Sequence, residues 1–332
     1  MDKLKTRTMQ AVVARQYGTP EVISVEQVPV LTPRDGQVLV KVEASSLNAL
    51  DWHFLTGTPY FIRLVGGLRR PKRLTPGADV AGTVVDVGPD VSAFKPGDEV
   101  FGEVSGGGCG EYLIAKQTNI VMKPAGVSFE AAGATPVAGL TAVQGLRTKA
   151  AVQPGDRVLI NGAAGGVGTF AVQIAKALGA EVTGVCSTRN VDMVRRVGAD
   201  HVIDYTKDDF TAMDHRFDVM FDNVGNRTAA ECIGILNPEA RYVLTTGPKG
   251  NPWLDPLPYI AKTALKFKRS SQSFHQFTAA PNADDTTFLG ELLESGQLKP
   301  EIQRVIGLDG VADGLVEIGT GHTRAKIVVV PR

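Results

Sequence analysis

Val158-Leu159-Ile160-Asn161-Gly162-Ala163-Ala164-Gly165-Gly166-Val167-Gly168 runs directly into Thr169-Phe170-Ala171-Val172-Gln173-Ile174-Ala175-Lys176. An apolar strand feeds a glycine-rich turn, and the turn opens into an amphipathic helix. Bare backbone amides at a helix N-terminus, where the macrodipole favours negative charge, make a seat for a pyrophosphate. Gly165 lets the backbone approach such a group, and Gly168 lets the helix pack closely on the strand. The stretch predicts a strand–helix–strand unit built to hold a dinucleotide.

The next strand, Glu181-Val182-Thr183-Gly184-Val185-Cys186, is followed by Ser187-Thr188-Arg189-Asn190. A site selective for NAD places a carboxylate about 20 residues past the glycines, to bond the ribose 2′-hydroxyl. None stands here. Ser187 can instead bond a 2′-phosphate, and the Arg189 guanidinium can neutralise it. The pattern predicts NADPH. Asp192 is the nearest acid and falls one turn into the following helix.

With 332 residues the chain exceeds one comfortable core, so two domains are expected. A net charge of zero provides no global attraction for nucleic acid or an anionic membrane. Cys109, Cys186 and Cys232 form neither a disulfide framework nor a CxxC pair, which suits a reducing compartment. The first residues, Met1-Asp2-Lys3-Leu4-Lys5-Thr6, lack a secretion signal, and no apolar run approaches the ~20 residues of a membrane span. The cytoplasm is the expected location.

From about residue 9 to 125 the chain reads as short alternating strands, at 38–42, 80–87 and 111–115, separated by turn signals such as Lys95-Pro96-Gly97-Asp98. That is the pattern of a mostly antiparallel barrel. After Ser128 the period changes. Helical stretches at 128–132 and 139–147 lead into alternating strands and helices: 158–161, 166–178, 181–186, 191–197, 201–205, 217–224, 228–235 and 241–246. This alternation implies a doubly wound parallel sheet. A helix at 309–319 and a strand at 326–330 close the chain, and the compact place for that strand is back in the first domain.

Gly155 to Gly168, with Gln173 and Lys176, resembles the signature of the zinc-free quinone oxidoreductase/zeta-crystallin branch of the medium-chain dehydrogenases/reductases. Cys186-Ser187-Thr188-Arg189, His201-Val202-Ile203-Asp204-Tyr205, Asp222-Asn223-Val224-Gly225 and Gly321-His322-Thr323-Arg324-Ala325-Lys326 are similar to its NADPH-using members. Ala163 stands where many such folds carry the first glycine, as is usual in this branch. The resemblance implies an α/β protein: a GroES-like, mostly β barrel domain (1–134 and 302–332) plus a Rossmann domain (135–301). It also implies a binding list for NADPH. Ala164, Gly165, Gly166 and Val167 would face the diphosphate, and Ser187, Arg189 and Tyr205 the 2′-phosphate. Asn48, Asn223, Thr245 and Gly247 would border the nicotinamide side, with His322 and Arg324 approaching from elsewhere. A homodimer is expected because relatives are often dimers.

Zinc-dependent members need a cysteine, a histidine and a further thiolate or carboxylate around a tetrahedral ion. This chain has Ser45-Ser46-Leu47-Asn48-Ala49-Leu50-Asp51 and Gly77-Ala78-Asp79 at those places. His53 beside Asp51 is the only tempting pair, and no metal is expected. Without a Lewis acid the acceptor must already take hydride readily, as quinones and conjugated enones do, because the charge delocalises into a phenolate or enolate. Asn48, which the resemblance places near the nicotinamide, is the first candidate to donate a hydrogen bond to that oxygen. Asp51 and Tyr60 are candidates for proton delivery or loop support, and Trp52, Phe54, Tyr60 and Phe61 for an aromatic wall. The run Arg69-Arg70-Pro71-Lys72-Arg73 reads as a solvated face, or else as a rim for an anionic thioester. An enoyl-thioester reductase and a non-catalytic NADPH-binding sensor or structural protein are the competing functions.

Overall fold

The computed structural model describes residues 7–248, 250–253 and 255–331; the N-terminal Met1-to-Thr6 reading lies outside them. The chain divides into two compact units. One carries the described residues up to Leu140, with Pro281–Gly296 and those from Ile302 onward. The other carries Thr141–Ala280 and Gln297–Glu301.

The first unit holds a seven-stranded sheet. Its path runs Ile302–Ile306, Lys326–Val329, Gln37–Leu47, Asp79–Val87, Glu99–Glu103 and Ile120–Met122, with Tyr112–Lys116 also paired to Gln37–Leu47. All pairs are antiparallel except Ile302–Ile306 with Lys326–Val329. Thr8–Ala14 and Ile23–Pro29 add a separate antiparallel ribbon. Val38, Val40, Val42, Val80, Val84 and Val100 fill one core, as alternation along β-branched strands requires. Lys326–Val329 lies against Gln37–Leu47, Ile327 opposite Leu47. The C-terminal strand therefore sits in the sheet of the N-terminal barrel.

The helix Ala283–Glu294, capped by Asn282 through the amides of Asp284 (2.9 Å) and Asp285 (3.1 Å), also groups with this unit. Sequence reading placed the whole of 135–301 in the second domain. The reason is burial: Leu289, Leu292 and Leu293 are hidden, and Gly290 abuts Pro124 and Phe101.

In the second unit six strands lie parallel in the order His201–Asp204, Glu181–Cys186, Arg157–Asn161, Phe217–Asp222, Leu236–Leu244 and Ser273–Gln276. The winding reverses between Arg157–Asn161 and Phe217–Asp222. At such a switch point the C-terminal strand ends open into a crevice for ligands. Leu159, Val185, Met220, Tyr242 and Phe267 pack the core beneath. Leu236–Leu244 starts earlier than its apolar run at 241, because Pro238 and Glu239, the latter at φ 65°, form a bulge that shifts the register. Among the described residues no helix is long and apolar enough to cross a membrane.

Candidate active site

Three neighbouring strands of the first unit bring their ends together around Asp79, which is fully buried. Its Oδ1 accepts the Val137 N–H (2.7 Å). Its Oδ2 accepts from the Ser46 hydroxyl, from Asn48 Nδ2 (2.7 Å) and, at 3.4 Å, from the Lys326 ammonium. Lys326 is 2% exposed and donates at 2.5 Å to Asn48 Oδ1. A cation buried this deeply is tolerated only with such partners.

Asn48 stands where the strand Gln37–Leu47 hands over to the helix Ala49–Thr56. Its amide is committed on both sides, to Asp79 and Lys326, and also reaches the Ser46 carbonyl at 3.3 Å. Asp51 accepts the Asn48 N–H and the Gly77 N–H, both at 2.8 Å, and so ties the helix start to the loop before Asp79. Burial pushes its carboxyl up to about 6; the two backbone N–H groups oppose the shift, and the Asp79 charge adds to it. Glu103, opposite Asp79 in the sheet register, is pushed up to about 8 by burial and by Asp79, against the pull of Arg73.

The other candidates nearby lie elsewhere. His53 Nδ1 bonds the Thr58 carbonyl (2.7 Å), not Asp51. The Tyr60 ring lies under the Arg63 guanidinium at 4.5 Å. Trp52 packs against Gly319 in the core, Phe54 lies under Arg73, and Phe61 is exposed, so the four rings form no single wall. His322 Nδ1 bonds the Thr320 carbonyl (2.9 Å), and Arg324 is exposed in the same loop before Lys326.

The donor set at Asp79 does not fit zinc. Ser46 and Ala78 bring no thiolate or imidazole, and the one carboxylate is already saturated. No group of three His, Cys, Asp or Glu among the described residues could hold a metal ion.

In the second unit the glycine turn has the form a dinucleotide needs. A Cβ on Gly168 would stand 2.1 Å from the Gly162 oxygen, so only glycine lets the helix Gly166–Ala177 dock there. A Cβ on Gly165 would meet nothing closer than 3.6 Å. The protein does not itself require that glycine, and the space it leaves lies at the helix N-terminus, where Gly166 and Val167 are half-exposed. Ala164 is buried behind them.

Across the switch point, Asp222 accepts Asn161 Nδ2 and the Val224 and Gly225 amides, each at 2.9 Å, and the Tyr242 hydroxyl at 2.8 Å. This holds Asn223, whose Oδ1 accepts from Thr245 (2.7 Å) while its buried Nδ2 has no partner. An orphaned buried donor beside the glycine turn suits a bound polar ligand. Gly247 is closed in by Pro256, which a Cβ there would approach to 2.6 Å.

Ser187, Arg189 and Tyr205 cluster at the ends of the second and third strands, with Tyr205 50% exposed. Asp204 lies beside them, accepting from Thr188 (2.6 Å) and Thr206 (2.8 Å); these bonds hold its carboxyl down at about 2.

Lys326, Ser46, Asp79 and Asp204 are the members that residue patterns missed. A lysine opening the apolar run Ile327-Val328-Val329-Val330 was the available signal.

Residues 34–189 match the alcohol dehydrogenase GroES-like domain, and residues 197–329 the zinc-binding dehydrogenase family. The chain is 34% identical to a chloroplast envelope quinone oxidoreductase homolog of Arabidopsis thaliana, covering 92% of this chain and 93% of that one. It is 35% identical to a trans-enoyl reductase of Aspergillus terreus, covering 88% and 86%. A quinone oxidoreductase of Coxiella burnetii superposes with a TM-score of 0.86 at 30% identity, covering 98% of this chain and all of that one. The chain belongs to the medium-chain dehydrogenases/reductases. Within them it is a quinone oxidoreductase-like protein, an oxidoreductase working with a nicotinamide dinucleotide.

Three outcomes follow from this geometry. Gly168→Ala lowers the melting temperature, whereas Gly165→Ala leaves it nearly unchanged and weakens binding of the nicotinamide dinucleotide at least tenfold by calorimetry. Lys326→Met costs about 3–5 kcal/mol in denaturant unfolding by stranding the Asp79 charge, and adding Asp79→Asn recovers much of it. The Glu103 carboxyl, at about 8 when folded against 4.5 as its ordinary value, stays protonated while the unfolded chain ionises, so its contribution falls as pH rises through that window. Glu103→Gln removes this loss: its stability advantage grows between pH 5 and 8 to roughly 2–4 kcal/mol, then levels off.

Proposed function

We propose that this chain is an NADPH-dependent reductase of quinones and of conjugated enones or enoyl compounds. The observation that carries the reading is the Lys326–Asn48–Asp79 nest, whose residues replace a metal-ligand set with an ammonium and an amide. An unactivated ketone becomes an alkoxide on reduction and needs stronger stabilisation than hydrogen bonds supply. A quinone or enone spreads the charge onto a distant oxygen, and fixed dipoles suffice.

Bound NADPH supplies the hydride. The chain's own residues hold and orient. Gly165, Gly166 and Val167 offer amides to the diphosphate; Ser187, Arg189 and Tyr205 take the adenosine phosphate; Asn223 has a spare donor for the nicotinamide side. Asn48 is the residue we assign to the reacting oxygen: of its two N–H bonds the one to Asp79 (2.7 Å) stays and the longer one to the Ser46 carbonyl (3.3 Å) is exchanged for the acceptor, while Lys326, its positioning residue, fixes the amide through Oδ1. Asp51 supports the loop through two backbone bonds. His322 and Arg324 are proposed as further coenzyme contacts, and the protein as a homodimer. The three cysteines are buried and unpaired, which suits a reducing compartment such as the cytoplasm.

The similarity to a trans-enoyl reductase supports the enoyl class as a second kind of acceptor on the same chemistry. The test is NADPH oxidation with a small quinone, an enal and crotonyl-CoA, with and without a chelator. Turnover of quinone or enal unaffected by chelator is expected; turnover restricted to plain ketones or alcohols, or abolished by chelation, overturns the reading. Arg189→Ala raises the KM for NADPH tenfold or more, about 1.4 kcal/mol, and leaves NADH nearly untouched. Equal changes for both coenzymes defeat the 2′-phosphate assignment.

A further inference from the structure

The stretch 52–78 contains no Asp or Glu but carries Arg63, Arg69, Arg70, Lys72 and Arg73, on a chain whose net charge is zero. The same stretch exposes large apolar side chains in close succession: Leu64 at 72%, Val65 at 69% and Leu68 at 69% exposure, flanked by Phe61 and Leu74. Isolated exposed apolar residues need no explanation, but a cluster of them does.

The loop holds these residues outward by design of its inner contacts. Arg63 donates to the Gly57 carbonyl (3.0 Å) and lies over the rings of Tyr17 (4.6 Å) and Tyr60 (4.5 Å). The Tyr17 hydroxyl bonds the Gly67 carbonyl, and the Lys72 N–H the Gly66 carbonyl at 2.7 Å. Gly67, at φ 117°, makes a turn in which a Cβ would lie 2.2 Å from the Arg70 oxygen. Arg73 is drawn inward over Phe54 and toward Asp51 and Glu103. Arg69, Arg70 and Lys72 stay exposed and make no salt bridge among the described residues.

We propose that this loop is a docking surface for a bilayer rich in anionic phospholipid. Leu64, Val65 and Leu68 enter the boundary between headgroups and acyl chains, while Arg69, Arg70 and Lys72 lie among the phosphates. An exposed apolar stretch followed directly by exposed cations matches such an interface on both counts: hydrocarbon accepts the side chains, and negative surface potential attracts the charges. A second copy of this chain fits less well, because a two-fold contact would press like-charged loops together. An anionic soluble ligand satisfies the cations but leaves the leucines in water. The docking is a property of the surface and does not depend on which acceptor is reduced.

The experiment is co-sedimentation of the full chain with phosphatidylcholine vesicles and with phosphatidylcholine/phosphatidylglycerol vesicles, at low and at high salt. Binding to the anionic vesicles at low salt is expected, with at least a fivefold loss at high salt. Leu64→Ser/Val65→Ser/Leu68→Ser and Arg69→Gln/Arg70→Gln/Lys72→Gln should each reduce the bound fraction at least fivefold while keeping the wild-type circular dichroism and melting temperature. No binding to anionic vesicles, equal binding to both kinds, or retention by the variants overturns the proposal. So does light scattering that shows the apolar variant merely dissociating an oligomer, with vesicle binding intact.

Discussion

Asp79 is a carboxylate sealed from water, and the end of the first unit's sheet is arranged to satisfy it. An uncompensated buried charge is far too costly to persist, so its partners are structurally obligatory. They come from three separate parts of the chain: Ser46 and Asn48 at the end of the long strand, Val137 at a helix start, and Lys326 at the last strand. The carboxylate thus couples residues 46 and 326, which no local preference would bring together. Lys326 in turn fixes Asn48 Oδ1, and Asp51 fixes the Asn48 backbone, so one side chain is held from two directions. The preorganisation of the proposed reacting-site amide is a by-product of neutralising Asp79.

The second unit uses the same device with different partners. Asp222 is also fully buried, but it is satisfied without a cation, by two backbone amides, an asparagine amide and the Tyr242 hydroxyl. Hydrogen bonds to a charged acceptor are stronger than neutral ones, which suits a loop that must keep one shape. That loop presents Asn223 with a donor left over. In each unit a buried acid freezes the segment that carries the amide we assign to the site. The difference lies in the partners: the Asp79 nest contains a lysine, and the Asp222 nest does not.

What could be read from residues alone follows from the range of the interactions. The turn Gly162 to Gly168 was legible because strand, turn and helix are consecutive and the steric demand on Gly168 comes from Gly162, six residues away. The parallel alternation and the return of Lys326–Val329 to the first unit were legible for a similar reason, since period and compactness constrain them. The nest was not. Ser46 and Asp79 were read as places where metal ligands are missing, which says what is absent but not what fills the space. The aromatic cluster at 52–61 forms no wall because its members stand on different elements: Trp52, on the helix Ala49–Thr56, packs against the core, while Phe61, just before the next short helix, faces solvent. Asp204 escaped notice because its influence is lateral: it stands at the end of the adjacent strand His201–Asp204 rather than at the end of Glu181–Cys186, where an acid for the ribose is expected.

Asp204 also bears on how the coenzyme would be chosen. A fixed anion near an adenosine phosphate works against NADPH, and with its carboxyl near 2 this one stays ionised at every physiological pH. Its lone pairs, however, are occupied by the Thr188 and Thr206 hydroxyls and the Thr206 amide, and Lys207 stands 3.6 Å away. A carboxylate so engaged has little capacity left to accept a ribose 2′-hydroxyl, which is the role an acid plays in NAD-selective sites. Its remaining effect is to hold the Thr188 turn, and so the backbone that carries Ser187 and Arg189. In the proposed NADPH reading, selectivity for the phosphate would rest on cation and hydroxyl geometry set by an acid that does not itself contact the ligand, the same indirect use of a carboxylate seen at Asp79 and Asp222.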